Sequence, residues 1–154
     1  MNSSNHPVVI GFYGHSNSGK TTLIARLIET FQEKGVKVAV VKMTDKKISS
    51  EPEGKDTVLF RDAGAVMTSL STQHETNFVI SSILSTEEII RIMTMITAID
   101  VIIIEGANEP QIPKIRFGEI PQRENTILTF QGDDKAIEDK IMQMMFRKEE
   151  ADEN

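Results

Sequence analysis

The amino-acid sequence of 154 residues predicts an α/β fold, a mainly parallel β-sheet flanked by helices on both faces. Short apolar runs rich in β-branched residues alternate along the chain with segments of helical periodicity, the pattern that builds parallel sheets. The run DVIIIEG at 100–106 is almost continuously apolar, as expected of a strand buried on both faces. Right-handed crossovers then place the ligand-binding loops at the carboxyl ends of the strands.

The elements are predicted from the period of the apolar residues and from the residues that start or stop them. Leu23, Leu27 and Phe31 recur at helical spacing, and Ser85 and Glu88 stand at capping-box spacing. Helices are predicted at 20–35, 85–98 and 133–146, with a short helix that Asp56 or Thr57 caps and that runs through Ala63. Strands are predicted at 7–14, 36–43, 100–106, 113–117 and 125–130, with weaker candidates at 65–71 and 76–82.

Length and composition predict one nucleotide-binding domain over 1–148 and an acidic disordered tail over 149–154. The net charge of −6 argues against a general nucleic-acid-binding protein, which would carry a basic face. The absence of Cys excludes disulfides and thiolate metal sites. No apolar run approaches the roughly 18 residues of a membrane span, and the first residues lack the features of a signal peptide. A cytoplasmic protein without a membrane partner is therefore expected.

The segment GHSNSGKT at 14–21 fits the phosphate-loop pattern G-x-x-x-x-G-K-[ST] at every fixed position. Gly14 and Gly19 allow the backbone to curl so that its N–H groups face phosphate oxygens. Lys20 reaches the β- and γ-phosphates, and the Thr21 hydroxyl is a ligand for Mg²⁺. The alternative is a Gly/Ser turn before a helix. Because an apolar strand precedes the segment and an amphipathic helix follows it, the pattern indicates a P-loop NTPase fold.

Glu105, at the end of the apolar run 100–106, is the candidate acidic partner of this loop. A carboxylate there faces the coordination sphere of Mg²⁺, directly or through water, so that Thr21 and Glu105 are the predicted metal ligands. The alternative is a strand-end carboxylate paired with a Lys. Asp100 lies too far down the same strand to reach the phosphates, and it is expected to start the strand or to cap the helix 85–98. The usual guanine signature Asn-Lys-x-Asp is absent, so these residues leave the base open.

Three blocks together resemble the molybdopterin-guanine dinucleotide biosynthesis protein B family, over about residues 8–117. They are GHSNSGKTTLIARLI, GKDTVLFRDAGA at 54–65, and IIIEGANEPQIPKI at 102–115. The resemblance implies a GTP-binding α/β protein with weak GTP hydrolysis, usually a homodimer. Such a protein assists the attachment of a guanine nucleotide to molybdopterin and acts with a molybdopterin guanylyltransferase. The resemblance therefore implies GTP and Mg²⁺ as cofactors.

The resemblance also assigns residues to the site. Lys42 ends the second predicted strand on the nucleotide side, where it is either a contact for phosphate or pterin or a solvated strand end. Arg61 is expected, with Lys42 and Lys55, on the surface that an anionic pterin or a partner protein approaches. The predicted cofactor-binding residues are Gly14, Asn17, Ser18, Gly19, Lys20, Thr21, Thr22, Lys42, Lys55, Asp56 and Lys114.

The chain departs from the family within KMTDKKISSEPEGKDT at 42–57. Met43, Asp45 and Lys46 stand where the family places His residues, and Lys47 and Ser49 stand where it places acids. The last expected Asp is replaced by Glu51, which approaches Mg²⁺ or is merely solvated. The segment is interpreted as a switch-like loop beside the γ-phosphate, and any role of the family's His and Asp residues changes here.

The sequence thus favours a GTP-binding accessory protein in molybdenum- or tungsten-cofactor biosynthesis. It predicts at most a slow GTPase, because neither an arginine finger nor a water-positioning Gln can be assigned. One alternative is a nucleotide-gated switch or scaffold without a pterin role, suggested by the replaced His and Asp residues. The other is a small-molecule P-loop kinase. Kinases usually carry a lid with several Arg residues, and the segment 117–126 offers only Arg123.

Overall fold

The computed structural model describes residues 6–46 and 55–152. The chain divides into two compact units, a larger one made of 1–44 and 90–154 and a smaller one made of 45–89. The elements in chain order are β1 (Val8–Gly14), α1 (Lys20–Glu33), β2 (Val38–Lys42), α2 (Asp56–Asp62), β3 (Met67–Ser71), β4 (Thr76–Ile80), α3 (Thr86–Ile96), β5 (Val101–Glu105), β6 (Lys114–Phe117), β7 (Thr126–Phe130) and α4 (Asp134–Asp152).

The larger unit is built on a five-stranded sheet in the order β2-β5-β1-β6-β7. Every neighbouring pair in it is parallel. The predicted parallel α/β fold is therefore confirmed. The connection from β1 leads towards β2 and the connection from β6 leads towards β7, in opposite directions from two adjacent strands. Ligands of open α/β sheets bind at such a reversal, outside the carboxyl ends of the strands.

The main core lies on the face of the sheet that α1 and α4 cover. The predicted helical stripe Leu23, Leu27 and Phe31 is buried there, and α4 contributes Ile137 and Ile141. Helix α1 also contributes Ile24, and the strands supply the remaining members, Val8, Ile10, Phe12, Val101, Ile103, Ile115 and Phe117. On the opposite side of β5, Ile102 and Ile104 are also fully buried, which explains why this strand lacks polar alternation.

The smaller unit contains α2 and the antiparallel hairpin β3-β4, in which Ser69 lies opposite Phe78. The residues at the start of α3 belong to it as well. The predicted capping box is confirmed: the Glu88 N–H donates to Ser85 Oγ over 3.2 Å, and the Ser85 N–H donates to Glu88 Oε2 over 2.8 Å. Many of this unit's apolar side chains are exposed.

Two predicted details differ from the structure. Lys55, with extended backbone, is the N-cap of α2, and Asp56 is its first helical residue, so neither Asp56 nor Thr57 is the cap. Helix α4 continues to Asp152, so residues 149–152, predicted to belong to a disordered tail, are helical. The segment FRKEEAD is made largely of good helix formers, which continue the helix although the charges suggested a frayed end.

Within 6–46 and 55–152, no helix is both long enough and apolar enough to cross a lipid bilayer.

Candidate nucleotide site

The loop between β1 and α1 has the backbone that phosphate binding requires. Asn17 and Gly19 both lie in the left-handed region, at φ 61° and 86°, so the chain curls back before the helix begins. Gly19 is the N-cap of α1, and it provides no side-chain hydrogen bond to the first turn. The N–H groups of that turn therefore lack a side-chain cap, and an anion at the helix N-terminus satisfies such groups.

Lys20 lies folded over this loop. Its ammonium donates to the carbonyl oxygens of Gly14 (3.0 Å) and His15 (2.6 Å) and to the Ser18 hydroxyl (3.0 Å). Burial lowers the pKa of Lys20. The nearby carboxylate of Glu105 opposes this change, and the ammonium of Lys42 adds to the lowering. All three acceptors belong to the loop itself, so an incoming phosphate can replace them without dismantling any other part of the fold.

Thr21 and Glu105 are brought together, as the sequence predicted. The Thr21 hydroxyl donates to Glu105 Oε1 over 3.2 Å, with Oε2 at 3.3 Å. A hydroxyl and a carboxylate are the hard oxygen ligands that Mg²⁺ takes, usually only one or two from the protein. The donor set therefore fits Mg²⁺. In the described part of the chain, no group of three or more His, Cys, Asp or Glu side chains offers a metal site.

Glu105 is fixed by main-chain bonds to the strands on either side of it. The Met43 N–H donates to the Glu105 carbonyl over 2.8 Å, and the Gly106 N–H donates to the Phe12 carbonyl over 2.8 Å. Gly106 has φ 95°, and a Cβ there would lie 2.6 Å from the Met43 carbonyl oxygen. Only glycine fits at this position. The Glu-Gly pair thus fixes the backbone at the end of β5, from which the carboxylate projects.

Lys42 lies beside Glu105, since the two residues are register partners in the parallel pair β2-β5. Its ammonium is 3.6 Å from Glu105 Oε2. The lysine partner that the sequence offered as the alternative for Glu105 is therefore present, whereas its role as a Mg²⁺ ligand stays a prediction. Asp100, at the opposite end of β5, accepts a hydrogen bond from the Lys37 N–H over 2.7 Å, which joins the starts of β2 and β5 and is not a helix cap.

Lys114 was predicted to bind cofactor, and the structure corrects this assignment. Its side chain is fully buried, and its ammonium donates to three carbonyl oxygens, those of Glu109, Ile112 (2.8 Å) and Glu124 (2.9 Å). Burial lowers the pKa of Lys114. All three donors of this ammonium are used by carbonyls of two separate loops, and no part of the side chain is exposed, so a ligand cannot reach it without opening these loops. Lys114 instead holds together the loops that follow β5 and β6.

The remaining predicted residues divide between the two units. Ser18 accepts the bond from Lys20, and Thr22 is exposed on the first turn of α1. Lys55 and Asp56 are exposed residues of the smaller unit, so their contact with a nucleotide stays a prediction, as does a role for Arg61. Glu51 lies outside the described residues.

Sequence reasoning missed a cluster around Tyr13, the residue before the phosphate loop. The buried Tyr13 hydroxyl accepts a bond from the Arg123 N–H (3.0 Å) and lies 2.7 Å from Thr126 Oγ1. The Arg123 guanidinium is 4.8 Å from the centre of the Tyr13 ring and donates to the Ala107 carbonyl. The only Tyr of the sequence, directly before Gly14, was the available signal. Arg123 is thus tied to the sheet and is a poor candidate for a mobile kinase lid.

A parallel sheet with a glycine loop between β1 and α1, and a Thr–Glu pair beside it, defines a P-loop NTPase fold. The particular family follows from comparison with known proteins. A model of the family "Molybdopterin guanine dinucleotide synthesis protein B", or MobB, matches residues 9–137. This chain belongs to the MobB family, and membership of this P-loop family implies nucleotide binding.

Two relatives carry the name molybdopterin-guanine dinucleotide biosynthesis adapter protein. The one from Haemophilus influenzae is 29% identical over 118 residues, which are 73% of this chain and 64% of that protein. The one from Escherichia coli is 27% identical over 112 residues, 70% of this chain and 63% of that protein. A relative in Methanocaldococcus jannaschii is 36% identical over 111 residues, 70% of this chain and 45% of that protein. The matches thus span about half to two thirds of the length of these relatives.

Solved structures agree on the fold. The crystal structure of Bacillus subtilis MobB has a TM-score of 0.69 at 19% identity, covering 88% of this chain and 96% of that one. A MobB homologue from Bacillus stearothermophilus has a TM-score of 0.60 at 17% identity, covering 92% and 97%. At such identities the likeness establishes the fold alone.

Proposed function

We propose that this chain is a GTP-binding accessory protein in molybdopterin guanine dinucleotide biosynthesis that acts with a molybdopterin guanylyltransferase in the cytoplasm. The observation that carries the proposal is that Glu105, at the end of β5, meets Lys20 and Thr21 beside the phosphate loop of a MobB-family chain. The adapter names of two relatives support a role in presenting a ligand to a partner enzyme.

In this proposal the phosphates lie on loop 14–19, with the N–H groups of the loop and of the first turn of α1 as donors. Lys20 exchanges its loop acceptors for phosphate oxygens. Thr21 and Glu105 hold Mg²⁺, which neutralises phosphate charge when it is bound. Hydrolysis is slow, because no arginine finger can be assigned, and Arg123, which lies beside Tyr13, is held by Tyr13 and Ala107.

Isothermal titration with GTP, GDP and ATP in excess Mg²⁺ tests nucleotide binding. Tight GTP binding that Lys20→Ala weakens about a hundredfold or more supports the proposal. Lys37→Ala is the matched control, because it removes one exposed lysine of the larger unit away from the loop. Absence of GTP binding, or a clear preference for ATP, contradicts the proposal.

Affinity capture from an extract, with the chain loaded with GTP or GDP, tests the partner. Recovery of a molybdopterin guanylyltransferase is the expected result. A GTP-dependent partner unrelated to molybdopterin would instead support the nucleotide-gated switch that the replaced His and Asp residues suggested.

A homodimer is part of the proposal. Within the smaller unit, large apolar side chains are half or more exposed, among them Leu59, Phe60, Val66, Met67 and Phe78. A two-stranded hairpin is marginally stable without further packing, and exposed apolar groups of this extent are typical of interfaces. Sedimentation equilibrium tests this part: a mass near 17.2 kDa at all concentrations would reject the dimer.

A further inference from the structure

Lys42 and Glu105 form an ion pair at the carboxyl edge of the sheet, with 3.6 Å between Nζ and Oε2. Lys42 and Glu105 are close to each other because they are register partners in the β2-β5 pairing, so their proximity does not depend on a loop. The hydrogen bond from the Met43 N–H to the Glu105 carbonyl continues that pairing beyond Lys42. The pair is therefore a property of the sheet.

The two charges differ in freedom. The Glu105 side chain is 14% exposed and held by the Thr21 hydroxyl, whereas the Lys42 side chain is 60% exposed. Lys42 can therefore swing into solvent while Glu105 stays in place. The other cation of the site, Lys20, is occupied by its three loop acceptors. Among the described residues, and without bound ligands, Lys42 is thus the cation that forms the ion pair with Glu105.

A divalent cation on Thr21 needs the same carboxylate oxygens. We propose that Lys42 is the resident counter-ion of Glu105 and competes with Mg²⁺ for it, so that metal binding requires Lys42 to leave. The inference rests on the proposed function for its setting. Lys42 also raises the potential at the loop, where it acts together with Lys20 on an approaching anion. Lys42 is thus a positioning residue that neutralises the Glu105 carboxylate as long as no metal is bound.

The first experiment needs no nucleotide. Mn²⁺ is titrated into the full chain, and free Mn²⁺ is measured by electron paramagnetic resonance. Lys42→Gln is expected to bind Mn²⁺ about threefold more tightly than the wild type, since a partly solvated competing charge is removed. Glu105→Gln should lose the site. A Lys42→Gln variant that binds Mn²⁺ equally or less tightly overturns the proposal.

Lys37→Gln is the matched control. It removes the same charge at the other end of β2, about 16 Å away at the usual rise per strand residue, which exceeds the Debye length. Its Mn²⁺ affinity should equal that of the wild type. Equal gains in both lysine variants would show a general effect of net charge and would also overturn the proposal.

The second experiment measures GTP affinity as a function of Mg²⁺. Lys42→Gln should reach half of its metal-dependent gain at about one third of the wild-type Mg²⁺ concentration. In the double variant with Glu105→Gln, removal of Lys42 should no longer shift this midpoint. If the wild type fails to bind GTP, the proposed function fails, whereas the Mn²⁺ titration still decides the role of Lys42.

Discussion

Two buried lysines of the larger unit, Lys20 and Lys114, each donate three hydrogen bonds, and burial lowers the pKa of both. The acceptors of Lys20 all lie within 14–18, in the loop beside it. Those of Lys114 come from residues 109, 112 and 124, in two different loops. A lysine bound to its own loop can exchange partners for a ligand, whereas one that joins separate loops cannot leave without loosening the fold.

The largest expected effect is on ligand binding. Lys20→Ala should lower GTP affinity about a hundredfold to a thousandfold, because charge-assisted hydrogen bonds to phosphate are lost. Its free energy of unfolding should change little, since the three acceptors can turn to solvent. Titration calorimetry and urea unfolding measure the two quantities. A large loss of stability with unchanged affinity would place Lys20 in the same category as Lys114.

Lys114→Met should show the opposite behaviour. Three carbonyl oxygens lose their donor in a buried place, so the free energy of unfolding should fall by about 2–3 kcal/mol. The folded fraction should still bind GTP with nearly wild-type affinity. Urea unfolding followed by titration calorimetry below the transition checks both statements. Loss of affinity without loss of stability would return Lys114 to the nucleotide site.

The pH dependence of the free energy of unfolding tests the contribution of Lys114 to stability in a second way. Because its folded-state pKa is lowered, the unfolded chain binds more protons between that pKa and 10.5. Stability contributed by this group therefore rises with pH across that interval and is flat below it. The difference in free energy of unfolding between wild type and Lys114→Met should widen towards pH 10.5. A constant or narrowing difference over this interval would contradict the lowered pKa.

The smallest effect concerns Asn125, which supports the same loops. It lies at φ 57°, its carbonyl accepts the Lys114 N–H over 2.8 Å, and its side chain donates to the Gln111 carbonyl. Asn125→Ala should lose about 1 kcal/mol, from one hydrogen bond and a strained backbone. Asn125→Gly removes the strain and should lose less. An equal loss in both variants, measured by thermal unfolding, would assign the whole effect to the side-chain bond.

Features that depend on residues close together in the sequence were predicted more readily than contacts between distant segments. The phosphate loop and the helical stripe of α1 are encoded within one short segment, and both were predicted. The pairing of Thr21 with Glu105 was also predictable, because the carboxyl ends of neighbouring parallel strands meet at one edge. The assignment of Lys114 failed since the convergence of three carbonyls from distant loops leaves no pattern around that residue. The sequence offered a Lys partner for Glu105 but did not identify it, because the contact with Lys42 depends on the register of β2 and β5.

The strand β2 has a further consequence for solubility. It is an edge strand of the five-stranded sheet, and its core reads VAVV between Lys37 and Lys42. Such a β-branched edge is a template for pairing with other chains, and lysines at its ends act as gatekeepers against aggregation. Lys42 thus has two effects in the unliganded chain. It neutralises the charge of Glu105, and it opposes the pairing of this edge strand with the same strand of another molecule. Replacing both lysines together should lower the concentration at which the protein aggregates.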